Sequence, residues 1–162
     1  MNKLIGSKTR LLFEKFISKN LPGNMEDFIY VEPFGGTFSV GNKLTSKPKM
    51  KVYNDIQIYD FNIVADIIEH RDFEEIINEY DSIDTFFYLD PPYFKKEYYY
   101  DMEHDVEFHN RIFGVLKSIK GKFLLSYQNH PYIINLYKSY NIKYNDSDTN
   151  MFRSKEILIS NY

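Results

Sequence analysis

Cysteine is absent from the 162-residue chain. Its absence excludes disulfides, thiolate metal sites and a cysteine nucleophile together. Residues 1–17 are interrupted by three lysines, an arginine and a glutamate, so they lack the apolar stretch of a signal peptide. No run approaches the ~18 apolar residues that a membrane-spanning helix needs. We therefore expect a cytosolic protein with no membrane partner.

An excess of basic residues is also missing, since the formal net charge is −3. This balance argues against a large surface for neutralising nucleic-acid phosphates. Internal repeats, low-complexity tracts and Pro/Gly-rich linkers are not found either. Hydrophobic residues make up 43% of the chain, which is enough for a buried core. We expect a single domain over residues 1–162.

Short apolar runs alternate with longer segments that have helical periodicity. This alternation predicts an α/β protein with a parallel or mostly parallel sheet and helices on both faces. The predicted strands cover 27–34, 49–54, 85–89, 122–126, 141–144 and 156–161. The predicted helices cover 7–19, 73–80, 106–119 and 131–140, and 63–68 is compatible with a helix or a short strand.

Acidic residues stand at the carboxyl ends of three predicted strands: Glu32, Asp55 and Asp90. Ligands of open α/β sheets bind beyond these strand ends. We therefore expect the three carboxyl groups to surround one ligand-binding opening at the carboxyl ends of the strands, which we call the mouth.

Two of these acids belong to motifs that suit a nucleoside. In VEPFGGTFSV, residues 31–40, the pair Gly35–Gly36 lets the backbone approach a ligand closely. The alternative is that the two glycines form only a tight turn. The lysine and Ser/Thr pair of a phosphate-binding P-loop does not follow. Asp55 closes VYND 19 positions after Gly36, where a carboxylate can accept from both ribose hydroxyls. The alternative is a turn formed by Asn54 and Asp55.

The third motif is FFYLDPPYF, residues 86–94. Pro91 and Pro92 hold the strand exit in one shape. The Asp90 carboxylate and the Pro91 carbonyl can accept both hydrogens of an exocyclic amine, which directs the nitrogen lone pair toward an electrophile. Tyr93 offers a flat face on which a base can stack. The alternative is a strand end followed by a plain turn.

Together these motifs resemble the Dam-like (D12 class) DNA adenine-N6 methyltransferases. IGSKTRLL at 5–12 is similar to that family's N-terminal cofactor motif, and residues 71–94 are similar to the segment that runs into its catalytic motif. KGKFLLSYQNHPYI at 120–133 and EILISNY at 156–162 resemble the strands that follow. The resemblance covers nearly the whole chain in the family's order.

The resemblance implies a Rossmann-like class I methyltransferase fold with a seven-stranded sheet, S-adenosylmethionine as cofactor and no metal. The reaction would be direct transfer of the sulfonium methyl group to adenine N6 in DNA. The residues that it implies for cofactor binding are Lys8, Glu32, Pro33, Phe34, Gly35, Gly36, Asp55, Asp72, Phe73 and Asp90. Those that it implies for holding the target adenine are Asp90, Pro91, Pro92 and Tyr93.

The chain departs from the family pattern in two informative places. Phe38 stands where the family has a small residue, so its ring could crowd the methionine part of the cofactor site. Only 35 positions separate Asp55 from Asp90, so the family's target-recognition domain is absent between about 56 and 84. We therefore expect a separate DNA-recognition subunit, a homo-oligomer or little sequence preference. A binding protein that has lost catalysis and a methyltransferase for adenine in RNA are the alternative hypotheses.

Overall fold

The computed structural model describes residues 12–94, 102–145 and 156–162, with side chains from residue 106 onward in the second range. Seven strands form one sheet in the order β3-β2-β1-β4-β5-β7-β6. The strands are β1 (Ile29–Glu32), β2 (Met50–Asn54), β3 (Ile67–Glu69), β4 (Thr85–Leu89), β5 (Lys122–Gln128), β6 (Asn141–Tyr144) and β7 (Glu156–Ser160). The α/β class and the mostly parallel seven-stranded sheet are thereby confirmed.

The sheet is parallel from β3 to β5 and antiparallel where β7 pairs with β5 and β6. The chain runs from β1 outward through β2 to β3, and then returns to the other side of β1 with β4. This reversal leaves a crevice beyond the ends of β1 and β4, where open α/β sheets bind their ligands.

Three α-helices are described: α1 (Phe73–Tyr80), α2 (Met102–Lys117) and α3 (Pro131–Leu136). The Asp72 side chain caps α1 by accepting from the Glu74 N–H, and Ile76 and Ile77 turn its buried side to the sheet. The bounds predicted for α1 and β4 are confirmed. The predicted helix over 131–140 was too long, because α3 ends at Leu136 and turns follow it.

Successive residues of each central strand face opposite sides of the sheet, so the core has two layers. Phe87 and Leu89 pack on the side of the three α-helices. Phe86 and Tyr88 pack on the other side, against a π-helical turn at Phe13–Ile17. A 3-10 turn at Ser18–Asn20 completes the described part of the predicted helix 7–19.

The remaining short elements are 3-10 turns at Met25–Asp27 and Gly41–Lys43. The segment 63–68, whose type the sequence left open, overlaps the strand β3, which begins at Ile67 and lies at the edge of the sheet. None of the described helices is long and apolar enough to cross a membrane.

Candidate functional site

The three acids expected at one mouth stand at the ends of neighbouring strands. Glu32 is the last residue of β1, Asp55 follows β2 and Asp90 follows β4. Since β1 lies between β2 and β4, the sheet order brings these ends together. The negative charge of Asp90 is close enough to disfavour ionisation of Glu32.

The loop after β1 depends on the two glycines in different ways. The Gly35 N–H donates to the Asn54 carbonyl over 2.7 Å, and a Cβ atom at Gly35 would overlap the Tyr53 ring and lie 3.1 Å from the same carbonyl oxygen. Gly36 instead has a φ of +49° with open space on its side-chain side. Gly35 is therefore required by close packing, and Gly36 by a left-handed backbone.

Asp55 joins this loop to the end of β2. Its Oδ2 accepts from the Gly36 N–H over 2.9 Å, and its Oδ1 accepts from the Gln57 N–H over 2.9 Å. A carboxylate has about four lone-pair sites, so each oxygen keeps capacity for one more donor. The side chain remains partly exposed and can still accept from a ligand hydroxyl.

Glu32 lies beneath the loop, with 2% of its surface exposed. Its Oε1 accepts from the Tyr30 hydroxyl over 2.6 Å and from the Gly41 N–H over 2.6 Å. Burial raises the pKa of Glu32 to about 8, and the charge of Asp90 adds to this rise. In these contacts the side chain organises the loop from below.

Phe38, the residue that stands where the family has a small one, has a φ of +53° and a fully buried ring. The ring meets Tyr53 edge-on at 5.5 Å between centroids, and it fills the space that a side chain at Gly41 would need. The phenyl group is thus part of the core beneath the loop. Its left-handed backbone is uncommon for a bulky residue and is held by this packing.

Asp72 and Phe73 stand where α1 begins. Besides capping the helix, the Asp72 carboxylate accepts from the Arg111 guanidinium over 3.1 Å. The same guanidinium lies 4.9 Å from the centre of the Phe73 ring, and Phe34 packs against that ring at 5.1 Å. Phe73 is consequently only 4% exposed and forms a buried wall. No sequence signal indicated Arg111, because this residue comes from the distant helix α2.

Asn54 is a second residue whose part the sequence did not reveal. Its Nδ2 donates to the carbonyls of Pro33 and Arg71 over 2.9 and 3.0 Å, and its Oδ1 accepts from the Arg71 N–H over 2.9 Å. The side chain is fully buried. It therefore ties the end of β1 to the segment that leads into α1, rather than forming a simple turn.

The DPPY segment, residues 90–93, follows β4. Pro91 is buried and Pro92 is exposed. Tyr93 is half-buried, and its hydroxyl donates to Oε1 of Glu156. Burial raises the pKa of this hydroxyl well above its ordinary value, and the charges of Glu156 and Asp90 raise it further. Tyr93 therefore stays a neutral donor at physiological pH.

Two further hydrogen bonds stabilise the chain that follows β4. Oε2 of Glu156 accepts from the Ser126 hydroxyl over 3.1 Å, and the Phe94 carbonyl accepts from Nε2 of Gln128 over 2.8 Å. Strands β5 and β7 thus hold the exit from β4 through side chains.

The contacts above do not include every residue and ligand considered from the sequence. Lys8, expected at the cofactor site, lies outside the described residues. Within the described ranges, no group of three or more His, Cys, Asp or Glu side chains is arranged to hold a metal ion.

Comparison with known proteins gives one family. The model of the D12 class N6 adenine-specific DNA methyltransferases matches residues 4–83 and, in a second overlapping range, residues 58–151. No curated protein matches the chain.

Proposed function

The chain belongs to the D12 class of N6 adenine-specific DNA methyltransferases, a family that uses S-adenosylmethionine, and we propose that it methylates adenine N6 in DNA. The observation that carries the proposal is the mouth itself. A carboxyl group and a proline carbonyl follow β4, a tyrosine ring stands beside them, and a glycine loop with its own carboxylate lies across the crevice.

The loop side of the mouth has the chemistry that the cofactor needs. The ribose hydroxyls and the ammonium group of S-adenosylmethionine are hydrogen-bond donors, and its sulfonium is cationic. Asp55 keeps free acceptor capacity beside Gly36, where the backbone is open to a ligand. We propose that Asp55 accepts from the ribose, that residues 32–36 line the methionine end, and that Asp72 and Phe73 flank the adenine. Lys8 is proposed as a further cofactor residue.

The exit from β4 is proposed to hold the target base. The Asp90 carboxylate and the Pro91 carbonyl accept the two N6 hydrogens, Pro92 keeps the exit rigid, and the Tyr93 ring stacks on the base. When bound, S-adenosylmethionine supplies an electrophilic methyl group whose bond to sulfur breaks as its bond to N6 forms. N6 then releases one proton through its hydrogen bond to Asp90. An adenine in a duplex must be flipped out of the stack to reach these groups.

We propose that DNA recognition comes from outside this chain, from a separate subunit or a second copy. Residues 55–84 contain ten acidic residues and a single arginine, so this stretch repels phosphates. It also exposes five aliphatic side chains to between 51% and 80%: Ile56, Ile58, Val64, Ile68 and Ile83. Exposed apolar side chains together suit a protein partner better than DNA.

The proposal is tested by transfer of a tritiated methyl group from S-adenosylmethionine to unmethylated DNA, with and without the proteins encoded nearby. Calorimetric titration with the cofactor is the companion measurement. We expect binding, with incorporation that rises when the recognition partner is present. No binding at millimolar cofactor would overturn the enzyme assignment. Binding without transfer in any mixture would favour a protein that has lost catalysis, and transfer to RNA alone would replace DNA as the substrate.

A further inference from the structure

We propose that Glu156 is a positioning residue for the Tyr93 ring and sets the plane on which the target adenine stacks. The inference rests on the proposed function, because it concerns the same base pocket. Glu156 was expected only as the first residue of a closing strand. Its side chain instead meets the DPPY segment, 63 positions away in sequence.

The antiparallel direction of β7 brings Glu156 to the mouth. β4 and β5 both point their carboxyl ends at this edge of the sheet, whereas β7 begins there. Glu156 is the first residue of β7 and pairs with Gln128, the last residue of β5. A parallel strand in the same place would have put its first residue at the opposite edge.

The Glu156 carboxylate connects two hydroxyl groups. One oxygen accepts from Tyr93, and the other accepts from Ser126 on β5, an inner strand of the sheet. Ser126 is 1% exposed, so it gives the carboxylate a rigid second support. The Tyr93 ring is thereby fixed at its far end by Glu156 and at its near end by the backbone that the two prolines constrain.

A ring fixed at both ends offers a stacking plane that is ready before the base arrives. Orientation prepared in this way lowers the barrier to transfer because less ordering remains for the bound state. The carboxylate itself lies at the hydroxyl end of the tyrosine, so it acts on the base only through the ring. Glu156 should accordingly affect the rate of transfer more than the affinity for the cofactor.

The test uses three substitutions in the full chain: Glu156→Ala, Tyr93→Phe and the two combined. Methyl transfer is measured on an oligonucleotide with an unpaired adenine at low salt, where flipping and phosphate attraction are both favourable. We expect each single substitution to lower kcat by about 10- to 100-fold, with little change in the KM for S-adenosylmethionine. The double variant should be no slower than the slower single variant, because both remove the same bond.

Two further variants provide controls. Glu156→Gln keeps an acceptor oxygen for the tyrosine hydroxyl and should recover most of the lost rate. Glu107→Ala removes an exposed carboxylate from α2 and should leave the rate unchanged. Circular dichroism and denaturant unfolding of each variant separate a folding defect from a change in kcat.

The outcomes distinguish the two proposals. Rate losses that multiply in the double variant, or an alanine variant as fast as wild type, would overturn the role of Glu156 and leave the proposed function intact. Loss of cofactor affinity in place of kcat would do the same. A wild-type chain that binds the cofactor but never methylates DNA would overturn the proposed function and this inference with it.

Discussion

The two sides of the mouth are held together by different kinds of bond. On the glycine-loop side, residues 32–41 with Asp55, carboxylates accept from backbone N–H groups nearby. On the DPPY side, residues 90–94 with Ser126, Gln128 and Glu156, side chains from two other strands reach the exit from β4. The first side is shaped by its own loop, and the second by the topology of the sheet.

This difference suggests a division of work between the two sides. A backbone loop clamped by carboxylates suits a cofactor, whose many polar groups meet main-chain atoms and acids. A tyrosine ring held by side chains of other strands suits a flipped base, because the stacking surface is already formed when the base binds. The two sides share an electrostatic connection, because Asp90 of one side raises the pKa of Glu32 of the other.

Asp90→Ala is expected to have the largest effect and would separate the two sides most clearly. In the proposed base site, N6 would lose the acceptor that orients its lone pair, so transfer should fall on the order of 100- to 1,000-fold or more. Cofactor affinity should stay largely intact. Tritium incorporation and calorimetry measure the two quantities.

Asp84→Ala is the matched control for Asp90→Ala, since Asp84 is an exposed acid just before the other end of β4. It should leave both quantities unchanged. Transfer by Asp90→Ala at the wild-type rate would refute the role assigned to that carboxylate.

The pH dependence of stability should report on Glu32. Its pKa in the folded protein is about 8 and its ordinary value 4.5, so between these values the folded chain holds a proton that the unfolded chain has released. The stability from this group is complete below pH 4.5 and is lost as pH rises toward 8, by at most about 1.4 kcal/mol per pH unit. Glu32→Gln should flatten that slope in urea unfolding from pH 5 to 8.

Glu26→Gln, at an exposed glutamate, should keep the wild-type slope and serves as the control for Glu32→Gln. If the Glu32→Gln and wild-type curves run parallel, Glu32 does not hold its proton in the folded chain.

Asp55→Ala tests the glycine-loop side directly. Removing the proposed charged acceptor for the ribose hydroxyls should weaken cofactor binding by about 10- to 100-fold. At saturating cofactor the transfer rate should largely recover, in contrast to Asp90→Ala. Calorimetry gives the affinity, and Asp60→Ala, at an exposed acid five positions further on, is the control. A variant that binds normally but cannot transfer would reverse the proposed division between the two sides.

The sequence predicted the sheet, the strand-end acids and the glycine loop because each depends on residues close together in the chain. Asp55 lies 19 positions from Gly36, close to the spacing of about 20 residues between the glycine turn and the acid of dinucleotide sites. The family match supports the same architecture.

The contacts that escaped prediction come from distant elements. Glu156 reaches Tyr93 only because β7 runs antiparallel, and neither its direction nor its partner is encoded near the DPPY motif. Arg111 reaches Asp72 from another helix, across 39 positions. Such contacts follow from the assembled topology, which periodicity and turn signals do not specify.

The smallest expected effect distinguishes the two glycines of the loop. Gly35→Ala should destabilise the fold by about 1–3 kcal/mol, because its Cβ would overlap the Tyr53 ring. Gly36→Ala should cost about 1 kcal/mol, since space is open and only the left-handed backbone resists the change. Gly36→Asn should recover part of that loss because asparagine tolerates this conformation, whereas Gly35→Asn should not. Urea unfolding of the four variants measures the difference, and equal costs at both positions would show that close packing on Tyr53 does not shape the loop.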